Sequence, residues 1–374
     1  MIINELRLIN HRNYDDELIR FHENTNILVG KNAQGKTNLL EAIYICARGY
    51  SFKNLKEDQI IGFGKDESYL CAKISIGNRK KLVEVKLSSK EKKKIRINEI
   101  EIDNLKQMKS QFGVVIFSPE ELKIIKETPS IRRRFLDDIV SNNDIIYKNL
   151  LLNYNKVRFQ RNNLIKNRKY NKYFEQMIEA YNKQLIEYGS KIAIYRYKYT
   201  YMLGGFASKY HSILSSEKEN LEIRYDSNIS SNFESLEDIE KEYRNKLEEN
   251  KEREYDQLTS LYGPHKDDLI ISINDLDTRV YASQGQQRTA MLSLKLAEAK
   301  LIETLTKVKP ILLLDDVFSE LDNQRARLLV EAIKGYQTII TTNSLMNINT
   351  DKMLGNVYKI ESGNISLQST GERM

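Results

Sequence analysis

Hydrophobic and polar positions divide the chain into alternating, helical and again alternating stretches. "ELRLINHRNY" alternates like a strand, and "NTNILVG" is a short apolar run closed by glycine. In "TNLLEAIYICARGYSF", Leu39, Leu40, Ile43 and Ala47 follow helical spacing. "LCAKISIG", "KLVEVKLSS" and "IRINEIEI" alternate with period two and predict an antiparallel meander. "GVVIF" predicts a buried strand ending at Ser118-Pro119, with proline suited to the first turn of the following helix. From Ile131 to about Leu214 helical periodicity dominates, with Leu150, Tyr154, Val157 and Leu164 on one spacing. The Ser/Asn-rich "SNISSNFES" interrupts it before a charged helix ending at Asp256. Then α/β character returns: "DLIISIN", the helix "RTAMLSLKLAEAKLIETL", the strand "PILLLDD", a helix from Asn323 to Lys334, and the strand "QTIITTN". The pattern predicts an α/β head made of residues 1–118 plus 257–374, interrupted by a helical lobe at 119–256.

One motif gives the first part its chemistry. Gly30-Lys31-Asn32-Ala33-Gln34-Gly35-Lys36-Thr37 follows an apolar strand and opens a helix, the setting a phosphate-binding loop requires. Its glycines let backbone N–H groups converge on phosphate oxygens, and the helix adds its positive dipole end. Lys36 supplies charge to the outer phosphates and the Thr37 hydroxyl a ligand for Mg2+. The expected ligand is a nucleoside triphosphate, ATP or GTP.

Far downstream, "ILLLDDVFSELD" reads as a buried parallel strand, Ile311 to Leu314, ending in Asp315 and Asp316. Asp315 is the candidate metal carboxylate and Asp316 the candidate group that orients or deprotonates water. Between the two motifs stands "ASQGQQRT". Ser283, Gln284 and Gly285 precede a helix, so free N–H groups there predict a second anion site. A plain serine N-cap explains Ser283 but leaves Gln286, Gln287 and Arg288 over-provided with hydrogen-bonding groups.

Charge adds a partner. The net charge is +7, and Ile145–Thr200 carries twelve Lys/Arg against three Asp/Glu. Glu217–Asp256 reverses this, with fourteen acids against seven bases, which predicts one surface for a polyanion and another that avoids it. Lys148, Lys156, Arg158, Arg161, Lys166, Arg168 and Lys169 are the candidate contacts to the phosphate backbone of such a polyanion. Arg132, Arg133 and Arg134 point in different directions on a helix, and one can pair with Asp137 or Asp138. His265, in "GPHKDD", has no paired second ligand and reads as a structural residue buttressing the nucleotide site. The start "MIINELRLINHRNY" lacks the apolar core of a secretory signal, no window is long enough to span a membrane, and the two cysteines, Cys46 and Cys71, read as buried reduced thiols. A cytoplasmic protein is expected.

Together the phosphate loop, Ser283–Arg288, Ile311–Asp316 and Ser319–Asp322 resemble the Walker A, signature, Walker B and D-loop of ABC-type ATPase heads. "LINHRNY", "FSPEELKIIKETPSIRRRFLD", "YGPHKDDL" and "YASQGQQRT" narrow the resemblance to the RecF family of bacterial recombination mediators. The resemblance implies a mixed sheet around the phosphate loop, an antiparallel β subdomain and an inserted helical lobe. It implies ATP with Mg2+, a homodimer in which each signature serine closes over the partner's γ-phosphate, and slow hydrolysis that releases the pair. It also implies binding to duplex and gapped DNA and cooperation with RecO and RecR in loading RecA, with no membrane partner. Arg12 would lie near the phosphates, alongside contacts from Ser283, Gly285 and Gln286.

Three departures from the ABC pattern stand out. Asp316 is one methylene shorter than the usual Glu, which suits a slow clock. Ser118-Pro119-Glu120 occupies the glutamine-bearing loop without a glutamine. Thr341-Thr342-Asn343 replaces the switch histidine with neutral groups, any of which can sense the γ-phosphate. Among rival readings, an SMC-type structural ATPase needs a longer arm than this insertion, a transporter subunit has no use for a basic lobe, and about sixty residues after Walker B are too few for a fused nuclease.

Overall fold

The computed structural model describes residues 1–53, 55–102, 112–345 and 354–370. The chain divides into two compact units: Met1–Leu122, Tyr210–Lys218 and Met291–Met374 form the first, Lys123–Lys209 and Glu219–Ala290 the second.

The first unit holds two six-stranded sheets. One has the order β2-β1-β4-β5-β6-β7, built from β1 (Ile2–His11), β2 (Tyr14–Arg20), β4 (Glu67–Ile76), β5 (Arg79–Ser88), β6 (Lys94–Ile97) and β7 (Ile100–Glu101), all antiparallel. "IRINEIEI" is therefore a hairpin and not a single strand. Asn98 and Glu99 both take positive φ, 49° and 69°, and turn the chain between β6 and β7. The other sheet has the order β15-β14-β3-β13-β12-β8, from β3 (Thr25–Val29), β8 (Val114–Phe117), β12 (Ile311–Asp315), β13 (Thr338–Thr342), β14 (Gly355–Glu361) and β15 (Asn364–Thr370). β14, β3, β13, β12 and β8 run parallel, and β15 returns antiparallel along β14.

Helix α1 (Lys36–Arg48) packs on strands of both sheets, which is why ten of its thirteen residues are buried instead of a single stripe. Its left-handed Gly49 cap, φ 79°, donates back to the Ile45 carbonyl. Cys46 is buried and Cys71 half-buried; both are free thiols, and burial pushes each above the usual thiol range.

Pro119 opens a short 3-10 turn, Pro119–Leu122, before α2 (Lys123–Lys126), so the helix expected there begins tighter than an α-helix. In the second unit follow α3 (Pro129–Asn143) and α4 (Ile145–Lys166), then α5 (Phe174–Leu214), a helix of 41 residues whose last turn, from Tyr210, belongs to the first unit. Tyr154, Val157 and Leu164 are buried as their spacing predicts, and Leu150 is half-buried. α6 (Leu236–Glu249) and α7 (Lys251–Gln257) make the charged helix two.

This unit also contains a three-stranded sheet, order β11-β10-β9, from β9 (Leu221–Asp226), β10 (Asp268–Ile273) and β11 (Leu276–Asp277). "LEIRYD", read as part of a helical lobe, is a strand whose odd residues are buried and even residues exposed. Its antiparallel pairing with β10 keeps residues 257–290 in the second unit, so the expected return to the head at 257 moves to Met291. Among the described residues no helix is long and apolar enough to cross a membrane.

Candidate nucleotide site and basic surface

β3 delivers the chain into the phosphate loop at its C-terminal edge, and the Gly30 N–H donates to the Thr342 carbonyl at 3.3 Å. Lys31, Asn32 and Ala33 form an exposed rim, with Ala33 left-handed at φ 63°. Gly35 has φ 113°, and a Cβ there would lie 2.6 Å from Asn13 Nδ2, so the close turn admits only glycine. A scaffold outside the motif fixes the loop. Tyr14 Oη donates to the Gly35 carbonyl (2.9 Å), Asn13 Nδ2 to the Gln34 carbonyl (3.0 Å), and the Ser362 N–H to Gln34 Oε1 (2.6 Å). Asn13 and Tyr14 stand in "LINHRNY" without a role assigned there, Ser362 stands in no motif, and sequence reasoning missed all three supports.

Lys36 Nζ is curled onto the Gly30 carbonyl at 2.5 Å, the Lys31 carbonyl at 2.9 Å and Asn343 Oδ1 at 2.7 Å. Burial holds its pKa below the usual lysine range against the pull of Asp316 and Asp315. Thr37 Oγ1 and Thr341 Oγ1 each donate to Asp315 Oδ1 at 2.8 Å. Desolvation pushes the Asp315 carboxyl above its usual range, and these two hydroxyls oppose the rise. The Asp316 N–H donates to Thr341 Oγ1 at 2.9 Å, and Asp316 sits left-handed at φ 52°. Its buried Oδ1 has no hydrogen-bond partner among the described residues.

A cation, two hydroxyls on one carboxylate oxygen and a second carboxylate oxygen without a partner among the described residues thus converge beside the phosphate loop. These residues fit a magnesium-bound triphosphate: the lysine has exchangeable partners, and the Thr37–Asp315 pair offers hard oxygen donors. Of the three neutral residues in the switch position, Thr341 is spent on Asp315, Thr342 donates to the Ser344 carbonyl, and Asn343 touches the lysine. Arg12 forms a bidentate pair with the fully buried Glu41, 2.9 and 3.0 Å, and donates to the Gln59 carbonyl. Ser51 anchors the same carboxylate at 2.5 Å.

The signature segment belongs to the second unit up to Ala290. Ser283 precedes α9 (Gln284–Thr306), after the short α8 (Thr278–Tyr281). The Ser283 N–H donates to Gln286 Oε1 (2.8 Å) and the Gln286 N–H to Ser283 Oγ (3.3 Å), a reciprocal capping box. Gln286 Nε2 reaches Glu219 (3.0 Å) and Gln287 Nε2 the Thr278 carbonyl (3.1 Å). The apparent excess of polar groups is therefore largely spent on positioning the helix start. Ser283 and Gln284 remain exposed, with Gly285 half-buried.

Of the basic candidates, Lys156, Lys166 and Lys169 are exposed, while Lys148, Arg158 and Arg168 are half-buried. Arg168 lies over the Tyr255 ring, 5.3 Å from its centroid. Arg161 is corrected: it is 1% exposed, paired with fully buried Glu254 at 2.6 Å and bonded to Ser260 at 2.9 Å and Asn182 at 2.7 Å. Its guanidinium is an internal strut and reaches no phosphate. Arg132 is equally buried, bidentate on Asp268 at 2.7 and 2.8 Å, and Asp137 pairs with Arg196 instead. Both ring nitrogens of His265 are engaged, Nδ1 with Tyr154 Oη at 2.7 Å and Nε2 with the Ser260 carbonyl at 3.0 Å. Burial drops its pKa to about 3.

Comparison with known proteins places this geometry. The RecF/RecN/SMC N terminal domain family matches residues 2–366. The chain is 41% identical over 348 residues to the DNA replication and repair protein RecF of Clostridium novyi (strain NT), covering 93% of this chain and 94% of the relative. It is 38% identical over 367 residues to the RecF of Clostridium botulinum (strain ATCC 19397 / Type A), covering 98% and 99%. The solved structure of the recombination mediator protein RecF-ATP in the RecFOR pathway superposes with a TM-score of 0.89 at 35% identity, covering 98% of both chains. An Smc head domain from Pyrococcus furiosus, at 16% identity and TM-score 0.57, shares the fold. Sequence, fold and the arrangement around Lys36 agree, and the chain belongs to the RecF family of the RecF/RecN/SMC ATPase heads.

Proposed function

We propose that this chain is an ATP-dependent DNA-binding protein of DNA replication and recombinational repair, in which ATP sets an association state and weak hydrolysis resets it. The observation that carries it is the junction of Thr37, Asp315 and Thr341 on one carboxylate oxygen beside the buried Lys36. Lys36 has two backbone carbonyls and one amide to give up for phosphate oxygens. Thr37 and Asp315 would hold Mg2+, whose charge offsets that of the phosphates. Asp316, whose Oδ1 has no partner among the described residues, orients water; its short side chain suits a slow clock.

Ser283 stands exposed at a capped helix start, rigid enough to present a hydroxyl and N–H groups to the nucleotide of a second copy. Dimerisation then follows from ligand linkage: each triphosphate is held fully only when two copies meet. Lys156, Lys166 and Lys169, with Arg158 and Arg168 behind them, supply a basic surface for the DNA backbone. RecO and RecR are the protein partners, and the cytoplasm is the place of action.

Sedimentation with and without ATP, and with and without gapped DNA, tests the reading. The unsubstituted protein dimerises on ATP and the dimer shifts DNA. Lys36→Ala loses nucleotide, whereas Ser283→Arg keeps nucleotide and stays monomeric. A Ser283→Arg protein that dimerised normally would sink the shared-site model.

A further inference from the structure

From Ile145 to Phe174 the chain carries eight Lys/Arg and no Asp or Glu. Exposed aromatic rings gather in the same stretch: Phe159 is 66% exposed, Tyr170 89% and Tyr173 66%. Lys156, Lys166, Lys169 and Lys172 stand exposed among them and enter no ion pair among the described residues. The first acid past the stretch, Glu175, is taken by Lys251 at 3.0 Å.

The turn that carries the two tyrosines is built, not slack. Arg168–Tyr170 is a single 3-10 turn after α4, closed by the Tyr170 N–H on the Asn167 carbonyl at 3.0 Å. Asn171 then caps the start of α5: its Oδ1 accepts from the Tyr173 N–H at 2.9 Å and its carbonyl from the Phe174 N–H at 3.3 Å. Beneath, Phe174 meets the Tyr255 ring edge-on at 5.3 Å between centroids, and the Arg168 guanidinium lies over that same ring. Leu164, Ile165 and Ile178 complete this small core. The backbone is therefore fixed while Tyr170 and Tyr173 point into water. Three residues separate them, at most about 11 Å of chain, so one strand can reach both. Along α4, Phe159 shares a helical stripe with Lys156 and Lys166, the latter about 10 Å further along the axis.

A solvated lysine face accounts for the charge but not for rings held out beside it. A protein-binding patch wants tyrosine but is depleted in lysine. Unpaired nucleic-acid bases want both, a ring to stack on and cations for the phosphates, whereas a duplex keeps its base faces hidden. We propose that the turn between α4 and α5 is a single-strand binding site. Unpaired bases stack on Tyr170 and Tyr173, Lys166, Lys169 and Lys172 hold the adjoining phosphates, and Phe159 with Lys156 continues the track along α4. The proposal rests on the reading of the exposed lysines as a DNA surface, and assigns to it the strand whose bases are free.

Full-length protein with Mg2+-ATP is titrated against three fluorescent ligands: a short oligothymidylate, an abasic strand of equal length, and a duplex. Tyr170→Ala with Tyr173→Ala weakens the oligothymidylate by about tenfold or more and leaves the other two within about twofold. Phenylalanine at both positions keeps the affinity, since stacking needs the ring and not the hydroxyl, and melts of all these variants match the unsubstituted protein. The chain has no tryptophan, so Tyr170→Trp installs a sole reporter, quenched by the oligothymidylate and not by the abasic strand. Equal losses on base-bearing and abasic strands, no loss on either, or an unquenched tryptophan overturns the proposal. So does displacement by polyglutamate at lower concentration than by the abasic strand, which assigns the turn to an acidic protein. Lys156→Glu, Lys166→Glu and Lys169→Glu together separate the two claims. If they weaken all three ligands while the tyrosine pair changes nothing, only the stacking site falls. If all three ligands bind as before, the basic-surface reading fails and takes the proposal with it.

Discussion

Lys36 donates to Asn343 Oδ1 across 2.7 Å although 307 residues separate them, so the phosphate-loop lysine and the exit of β13 form one joint. Asn343→Ala leaves Lys36 two backbone acceptors, so stability changes by about 1 kcal/mol or less. The expected functional loss is larger, because in the proposed site Asn343 is the neutral group that would sense the outer phosphate through Lys36. Nucleotide titration should show affinity within about threefold, while phosphate release slows by about tenfold or more. An unchanged rate removes Asn343 from the sensing role.

Asp315 predicts a trade between stability and function. Burial raises its folded pKa above the unfolded value of 3.8, so the folded state binds more protons in the interval between the two. Stability therefore falls as pH rises through that interval, and ionised Asp315 remains a cost above it. Asp315→Asn should melt higher than the unsubstituted protein at neutral pH yet lose the Mg2+ dependence of nucleotide binding. Thermal melts with and without Mg2+-ATP check both halves; a lower melting temperature would show that the two threonine bonds outweigh the desolvation.

Arg161 and the exposed lysines should separate cleanly. Removing Arg161 strands a fully buried Glu254, so Arg161→Ala costs about 3–5 kcal/mol in denaturant melts, and Arg161→Met with Glu254→Leu recovers most of it. The Met/Leu protein keeps its DNA affinity. Lys156→Glu, Lys166→Glu and Lys169→Glu together leave melts within about 1 kcal/mol but weaken DNA binding and reduce the log–log salt slope by about two to three. A salt slope that does not move places the DNA elsewhere.

His265 gives the second unit an acid-sensitive element. Its folded pKa of about 3 lies below the usual 6.5, so only the unfolded chain takes up the proton between those values. Stability declines as pH drops through that window. His265→Gln keeps one donor and one acceptor without the titration, so its melting temperature should vary less steeply between pH 7 and 4.5. An equal slope in both proteins would assign the acid limb to other groups, such as His11, whose pKa burial drops to about 4.

What was legible follows from how local each signal is. Gly30–Thr37 could be read because glycine spacing, strand and helix lie within one short window, and Ile311–Leu314 because a fully buried strand is continuously apolar up to its terminal Asp315. The Asn13, Tyr14 and Ser362 supports could not, since one hydrogen bond from a distant loop leaves no spacing behind. Arg161 was misread because a basic helix shows its charge in sequence but not which charge faces inward; only the partner Glu254, 93 residues on, decides that. "LEIRYD" was missed although its alternation is clear, because six residues inside a helical stretch look like an interruption until β10 pairs with them. Pairing with β10 also explains the displaced boundary.

The flanking of β3 by β14 and β13 has a consequence for biosynthesis. The nucleotide loop leaves the ribosome before both neighbouring strands and the Ser362 amide that grips Gln34, which are translated more than three hundred residues later. A nascent or truncated polypeptide therefore owns the motif without the pocket. Nucleotide capture becomes a report that residues 338–362 have been made and have folded against β3.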